Sequence, residues 1–420
     1  MNKVSWRSNG WVVTAALGVV SCILLGITMG APGLILEALA KEFNSTYERV
    51  SSSTMFFVAT MTLSMPIVGW LMNWISARAV MLIGVLITSA SYAVAARADS
   101  IDLFALAMGG AGFGVGMSTY VPSICVISTW ISDRKALAYG LYMSGASVGT
   151  IVFPFIMAHQ ISLNGWRQSL DEAAIFMLVV SAPILLWLVR SRSEAASVAR
   201  EEAATHSMQG IMSAIMNPMY WLLILMQTLL TSGVMGLYSY VVPFLTSMGY
   251  SSKLAALIFG SLGIAGIVGF PICGVIADRY GARRVLLMGI PVCALGVAIL
   301  LLADKGVGLV IPVLFVIMWG STFNLSSQLS PLLLADLLGE RYFSFLLGLK
   351  NLIAGLISAV APVITGWILD VEKSYSTVFK VWAMAYGLAL IPVLFMPAKK
   401  KVSVSVLKKS TRRERELECP

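Results

Sequence analysis

Charge is what this chain has least of. Only 12% of its 420 residues are Asp, Glu, Lys or Arg, about half the share of a soluble globular chain, which excludes an ordinary water-soluble domain. The 20 Asp and Glu residues fall in connections, tails or the ends of apolar runs, so the mid-membrane acids from which proton relays are built are missing. The two histidines, His159 and His206, lie far apart. The five cysteines form no CxxC or Cys/His cluster, so neither a metal site nor a structural disulfide is expected. Walker sequences are absent, which excludes ATP as the driving force. Gly109-Gly110-x-Gly112-x-Gly114-x-Gly116 lies inside an apolar run with no preceding strand, so it is not a phosphate cradle. Alternating strand patterns are also missing, which argues against a membrane barrel. No nucleophile–base arrangement stands out, so neither an enzyme nor a bound cofactor is expected.

What is present is hydrocarbon. The chain is 58% hydrophobic with a mean hydropathy of +0.86. A helix needs about 20 apolar residues to span a bilayer, and twelve runs qualify: 11–36, 52–75, 78–97, 101–125, 135–159, 169–190, 218–243, 253–277, 284–303, 308–333, 343–369 and 377–397. The first is too long and too poorly flanked for a cleaved signal peptide. The expectation is an all-α membrane protein of twelve transmembrane helices, with the lipid bilayer as its main partner.

The net charge of +9 does not indicate nucleic acid, because of where the cations fall. With twelve spans and the N-terminus inside, 20 Lys and Arg collect on one side, eight of them in the tail from Lys399 to Arg415, against 8 on the other. That excess places both termini in the cytoplasm by the positive-inside rule. The basic tail reads as an anchor near anionic lipid, with binding of a protein partner as the sharper alternative. Short loops and the lack of targeting signals suggest a bacterial inner membrane, and a monomer is expected.

The longest polar stretch between spans separates six runs from six. It divides the chain into an N-terminal bundle (1–190), a linker (191–217), a C-terminal bundle (218–397) and a basic tail (398–420). The turn after the second run, from Gly69 to Val80, repeats after the eighth, from Gly274 to Val285, at an offset of 205 residues: Gly, Ala, Arg and Val coincide, and Asn73 stands opposite Asp278. The second copy, Gly274-x-x-x-Asp278-Arg279-x-Gly281-x-Arg283-Arg284, closely resembles the loop motif of the major facilitator superfamily, whose two six-helix halves hold substrate between them near the bilayer midplane. On physical grounds Asp278 can accept hydrogen bonds from the N-terminus of another helix, where the dipole favours a carboxylate, and the arginines hold the turn at the membrane surface. Asp278, Arg279, Gly281, Arg283 and Arg134 are therefore candidate gating residues. A mere anchoring role is the alternative. In the first copy Asn73 and Ser76 replace the acid and the glycine, so that latch should be weaker.

A narrower resemblance lies in Trp130-Ile-Ser-Asp-Arg134-Lys135-Ala-Leu137-Ala138-Tyr-Gly140, which is similar to the signature of the monocarboxylate porters, and Asn9-Gly10-Trp11 partly matches that family's motif before the first helix. Two features that the resemblance implies are missing: Gly33 follows Pro32 where the proton-coupled animal members carry lysine, and 254–277 holds no Asp/Arg pair. Lys350 instead resembles the substrate lysine in the eleventh helix of the oxalate/formate antiporters, a sister group, and Tyr120 matches their fourth-helix tyrosine. Their arginine before a proline in the eighth helix is here Phe270 before Pro271. One cation of a dicarboxylate clamp is kept and the other is an apolar ring, which suits a monoanion with an apolar body.

Lys350 is the one cation of 29 that falls deep inside a run, the others lying in connections, tails or the ends of runs, about 10 Å beyond the start of its helix at 1.5 Å per residue. A cation at that depth is costly and marks a functional site by default. With no mid-span acid to pair it, its counter-ion is either a transported carboxylate or nothing, the amine then being carried neutral; snorkelling to the interface is the bland alternative. The tenth run offers polar neighbours, with Ser321, Asn324 and Gln328 on one helical face and Ser326, Ser327 and Ser330 among them. Asn351 adjoins the lysine, and Gln227 and Thr231 share a face of the seventh run. The candidate substrate-binding residues are Lys350, Tyr120, Asn324, Gln328, Asn351 and Ser327. The expected function is a secondary active carrier that moves a small organic anion, a monocarboxylate before others, by alternating access, with proton symport and exchange for a counter-anion both left open. A same-fold carrier or exporter of a neutral, vitamin-like or drug-like solute, and a non-transporting sensor acting through the tail, are the alternatives.

Overall fold

The computed structural model describes residues 9–189, 208–238, 240–302, 308–340 and 342–397, and no strand occurs among them. Eleven helical stretches are long and apolar enough to cross a bilayer. One of these, Lys135–Trp187, is 53 residues long and is two spans, because Gly165 at φ 75° turns the chain inside it. L-residues with a Cβ avoid that region, so the fifth span ends and the sixth begins at this glycine. The count is then twelve, as the apolar runs imply.

The spans start where a polar side chain caps free N–H groups. Asn9, Ser76, Ser100 and Ser251 accept from Trp11, Ala79, Leu103 and Leu254 at the starts of the first, third, fourth and eighth spans, satisfying donors that a helix leaves open. Several spans are broken midway. The fourth runs as Ile101–Ser118 and Tyr120–Trp130 about Thr119 (φ −112°, ψ −100°), where Pro122 cannot donate to the carbonyl of Ser118. The tenth runs as Val310–Gly320 and Leu325–Leu338. The eleventh is Phe343–Ser358 followed by Ala361–Glu372, with Pro362 in the first turn of the second piece.

Since both ends of an even number of spans lie on one side, the molecule has a terminal face and an opposite face. The halves meet on the terminal side through two crossings that repeat the sequence offset. A Cβ on Gly69 would collide with the carbonyl of Ser344, and one on Gly348 with that of Met65, so the second and eleventh spans touch backbone to backbone. Gly274 stands likewise against Ala136, and Gly140 against Phe270, where the eighth span crosses the fifth. Pro66 and Pro271, again 205 residues apart, sit beside these crossings. Pro271 has no N–H for the carbonyl of Ile267, and Ser144 Oγ of the fifth span donates to that oxygen at 2.9 Å.

The glycine-rich fourth span packs closely, with Gly112, Gly114 and Gly116 against the backbones of Phe57, Gly84 and Met61. In the eighth, Gly263 and Gly269 meet Ile151 and Ser321, but Gly260 faces open space. Of the 191–217 linker, Met208–Met216 is a short helix. The rest of its charged stretch and the basic tail 398–420 lie outside the described residues.

Candidate functional site

Lys350 sits seven residues into Phe343–Ser358, on the face that also buries Leu346, Leu347, Asn351 and Ala354. It is 0% exposed, so it does not snorkel. Its Nζ donates to Ser330 Oγ at 2.9 Å, to Asn351 Oδ1 at 3.2 Å, and to Gln227 Oε1. An ammonium has three N–H donors, and three oxygens from the seventh, tenth and eleventh spans receive them. Gln227 Nε2 donates in turn to Asn351 Oδ1 at 2.7 Å, and Ser330 Oγ to Gln227 Oε1 at 3.1 Å. None of the ion pairs among the described residues involves Lys350. One donor in the cluster is unused: Asn351 Nδ2 is buried without a partner.

Of the expected binding residues, Asn351 belongs to this cluster directly. Tyr120, the first residue after the break in the fourth span, donates from its hydroxyl to the carbonyl of Ser327 at 2.5 Å and lies beside Ser330. It thereby joins the N-terminal half to the helix segment that carries Lys350's partner. Ser327 takes part through its backbone. Gln328 is elsewhere engaged: its Nε2 donates to the carbonyls of Phe270 at 2.8 Å and Ala136 at 3.2 Å, across the junction of the fifth and eighth spans. Asn324 stands at the break before Leu325 and caps nothing with its side chain. The shared face expected for Ser321, Asn324 and Gln328 is not continuous, because the helix is interrupted between Gly320 and Leu325. Ser330 was legible only as one serine of a polar run, and nothing in the sequence joined Gln227 to Lys350. Thr231, grouped with Gln227 by spacing, is no part of the set.

The candidate gating residues gather at the terminal face. Asp278 Oδ1 and Oδ2 accept the backbone N–H groups of Ala136 and Leu137, each at 2.9 Å, at the dipole-positive start of the fifth span. Arg134 precedes that start and acts electrostatically on Asp278. Gly281, at φ 93°, makes the turn into the ninth span. Arg283 donates to the carbonyls of Val393 and Leu394 at 3.1 and 3.0 Å, placing a cation at a helix C-terminus where the dipole favours it. The Arg279 guanidinium lies 5.4 Å from the Tyr280 ring centroid. Lys135 and Glu340 form an ion pair between the halves at 2.9 Å, and Cys125 Sγ meets Ser344 Oγ at 3.3 Å. The two short segments of the narrower resemblance also meet here, Gly10 packing on Trp130 and Ile131.

Twelve apolar spans in two repeated halves, with a buried lysine on one half, define a polytopic membrane protein of the solute-carrier type. The pattern of the Major Facilitator Superfamily matches residues 16–349, and the chain belongs to that superfamily: it is a multi-pass membrane transporter, not an enzyme. It is 26% identical to mouse monocarboxylate transporter 12 over 94% of this chain and 86% of that one. It is 24% identical to the zebrafish monocarboxylate transporter 12-B over 88% and 83%. An Aspergillus flavus MFS transporter, asaE, is 23% identical over 78% and 72%. Among solved structures, the Escherichia coli fucose:proton symporter FucP superposes with a TM-score of 0.73 over 93% of this chain and 100% of that chain at 14% identity. A second FucP structure, in an outward conformation, gives 0.69 over the same shares at 13% identity.

Proposed function

We propose that this chain is a secondary active transporter of a small organic monoanion of the monocarboxylate class, with Lys350 as the cation that receives the carboxylate. The observation that carries the reading is a fully buried lysine held only by neutral oxygens. Burying an ammonium without a counter-ion is costly, so an arriving carboxylate gains what the empty site lacks. Where the resemblance implies the second cation of a dicarboxylate clamp, this chain has Phe270, whose ring packs on Phe323 at 5.8 Å, and an apolar ring there favours a monoanion. The names of the monocarboxylate transporters at about a quarter identity support the same class.

Transport proceeds by alternating access between the halves, which the linker at 191–217 connects. The contacts of Asp278 with Ala136 and Leu137 and of Lys135 with Glu340 support a latch on the terminal side made by Asp278, Arg134, Lys135 and Glu340, with Gly281 and Arg283 shaping its turn and Arg279 holding the turn at the surface. Both termini face the cytoplasm, as the excess of 20 cations over 8 implies, and the carrier acts as a monomer coupled to protons or to a counter-anion. The bacterial inner membrane expected from short loops gains nothing from the sequence relatives named above, which come from mouse, zebrafish and Aspergillus flavus and are eukaryotic.

The test is competition. In proteoliposomes, acetate, lactate, pyruvate, aromatic acids and oxalate are offered against one another as labelled and unlabelled species. The proposal expects mutual competition among monocarboxylates, with oxalate the weaker competitor. Lack of uptake and competition for every carboxylate would reject the cargo class and favour a neutral solute.

A further inference from the structure

Resting on the reading of Lys350 as the cargo's cation, we propose that Gln227 is a positioning residue that acts as the resident ligand of Lys350. Its Oε1 stands where a carboxylate oxygen of the cargo will stand, and this lets the carrier change state while empty. A buried ammonium must have all three N–H groups accepted. Here the acceptors are Gln227, Ser330 and Asn351, all in the C-terminal half, so the whole set can travel with that half as it moves against the other.

Gln227 is the hub of the set. Its oxygen accepts from both Lys350 and Ser330, while its nitrogen donates to Asn351 Oδ1. That last bond fixes the amide orientation, because a reversed amide would direct N–H groups at the ammonium. Glutamine has the shape of glutamate without its charge. It therefore offers the lysine a dipole that an arriving carboxylate can displace, whereas a glutamate would form a lasting ion pair. The cluster also has one buried donor that no protein group accepts. Asn351 is 7% exposed and its Nδ2 has no partner, leaving one donor beside the ammonium for the second oxygen of the cargo.

The consequence can be read without knowing the cargo, by using Cys125 as a reporter. Its thiol is buried on the junction between halves, against Ser344, so alkylation requires that junction to part. The carrier, with Cys22, Cys273, Cys293 and Cys419 replaced by alanine, is placed in cargo-free proteoliposomes and treated with N-ethylmaleimide. The proposal expects Gln227→Met to slow labelling about tenfold or more. Without this acceptor Lys350 is better held in a state hydrated from the opposite face, and the sealed state must then be crossed at the cost of a lost hydrogen bond to a charged group before the junction parts. Gln227→Glu should label at least as fast as the parent while losing carboxylate uptake. In a Lys350→Gln background, Gln227→Met should have no effect, because no charge remains to be satisfied.

Labelling of Gln227→Met at or above the parent rate, an unlabelled parent, or a Gln227→Met effect that persists without Lys350 would overturn the proposal. If Gln227→Met does not fold, uptake retained by Gln227→Glu overturns it independently. Failure of the competition test rejects the cargo class without altering these labelling rates. Failure of the labelling pattern rejects only the role of Gln227.

Discussion

Asp278 and Ala136 join the two halves of the molecule through a carboxylate-to-backbone hydrogen bond of 2.9 Å, with a second from Leu137 to the other oxygen. Asparagine at this position keeps the shape but has one acceptor oxygen and no charge. Hydrogen bonds to charged groups contribute about 1.5–3 kcal/mol, so Asp278→Asn should open the terminal side more often and raise the alkylation rate of Cys125 about tenfold. An unchanged rate would mean that this contact does not hold the closed state.

The first copy of the turn has Asn73 where the second has Asp278, at the crossing where Gly69 lies against the start of the eleventh span. Asn73→Asp should add the missing charge near that helix N-terminus. A gain of about 0.3–1 kcal/mol corresponds to Cys125 labelling slowed about two- to fivefold, measured in the same assay.

Two glycine substitutions should behave oppositely. Gly348 faces the backbone of Met65 and Pro66, whereas nothing lies within 4 Å of a Cβ at Gly260. Gly348→Leu should cost about 1–3 kcal/mol by overpacking and lower the melting temperature in detergent. Gly260→Ala should be neutral or stabilise by up to about 1 kcal/mol, because alanine is the better helix former.

Arg167 serves only the N-terminal half. It binds the carbonyls of Ala96 and Ala98, each at 2.8 Å, and Glu42. Arg167→Ala should lower unfolding stability by about 2 kcal/mol, mostly through the two backbone contacts, since the exposed ion pair contributes about 0–1 kcal/mol. Cys125 labelling in the folded protein should not change.

What the sequence discloses follows the range of the interaction. The twelve spans are legible because hydrocarbon length sets the run length, and only the turn at Gly165 hides one boundary inside a continuous helix. Asp278 is legible because its partner is a helix N-terminus, which any carboxylate near such a turn will seek. Lys350 is legible as a charge in the wrong solvent. Of its partners only the adjacent Asn351 is, because Gln227 and Ser330 come from two other spans whose rotation against the eleventh the runs do not specify. The face drawn through Asn324 and Gln328 fails for a local reason: the tenth span stops being helical between Gly320 and Leu325, and no proline announces it. The breaks in the fourth and eleventh spans do carry a signal, in Pro122 and Pro362.

The most direct measurement is initial uptake of labelled monocarboxylate into proteoliposomes by the Lys350→Gln variant, with reconstituted protein quantified in parallel. The account expects equal insertion and uptake reduced to the level of protein-free vesicles. Uptake at the parental rate and half-saturation would contradict it.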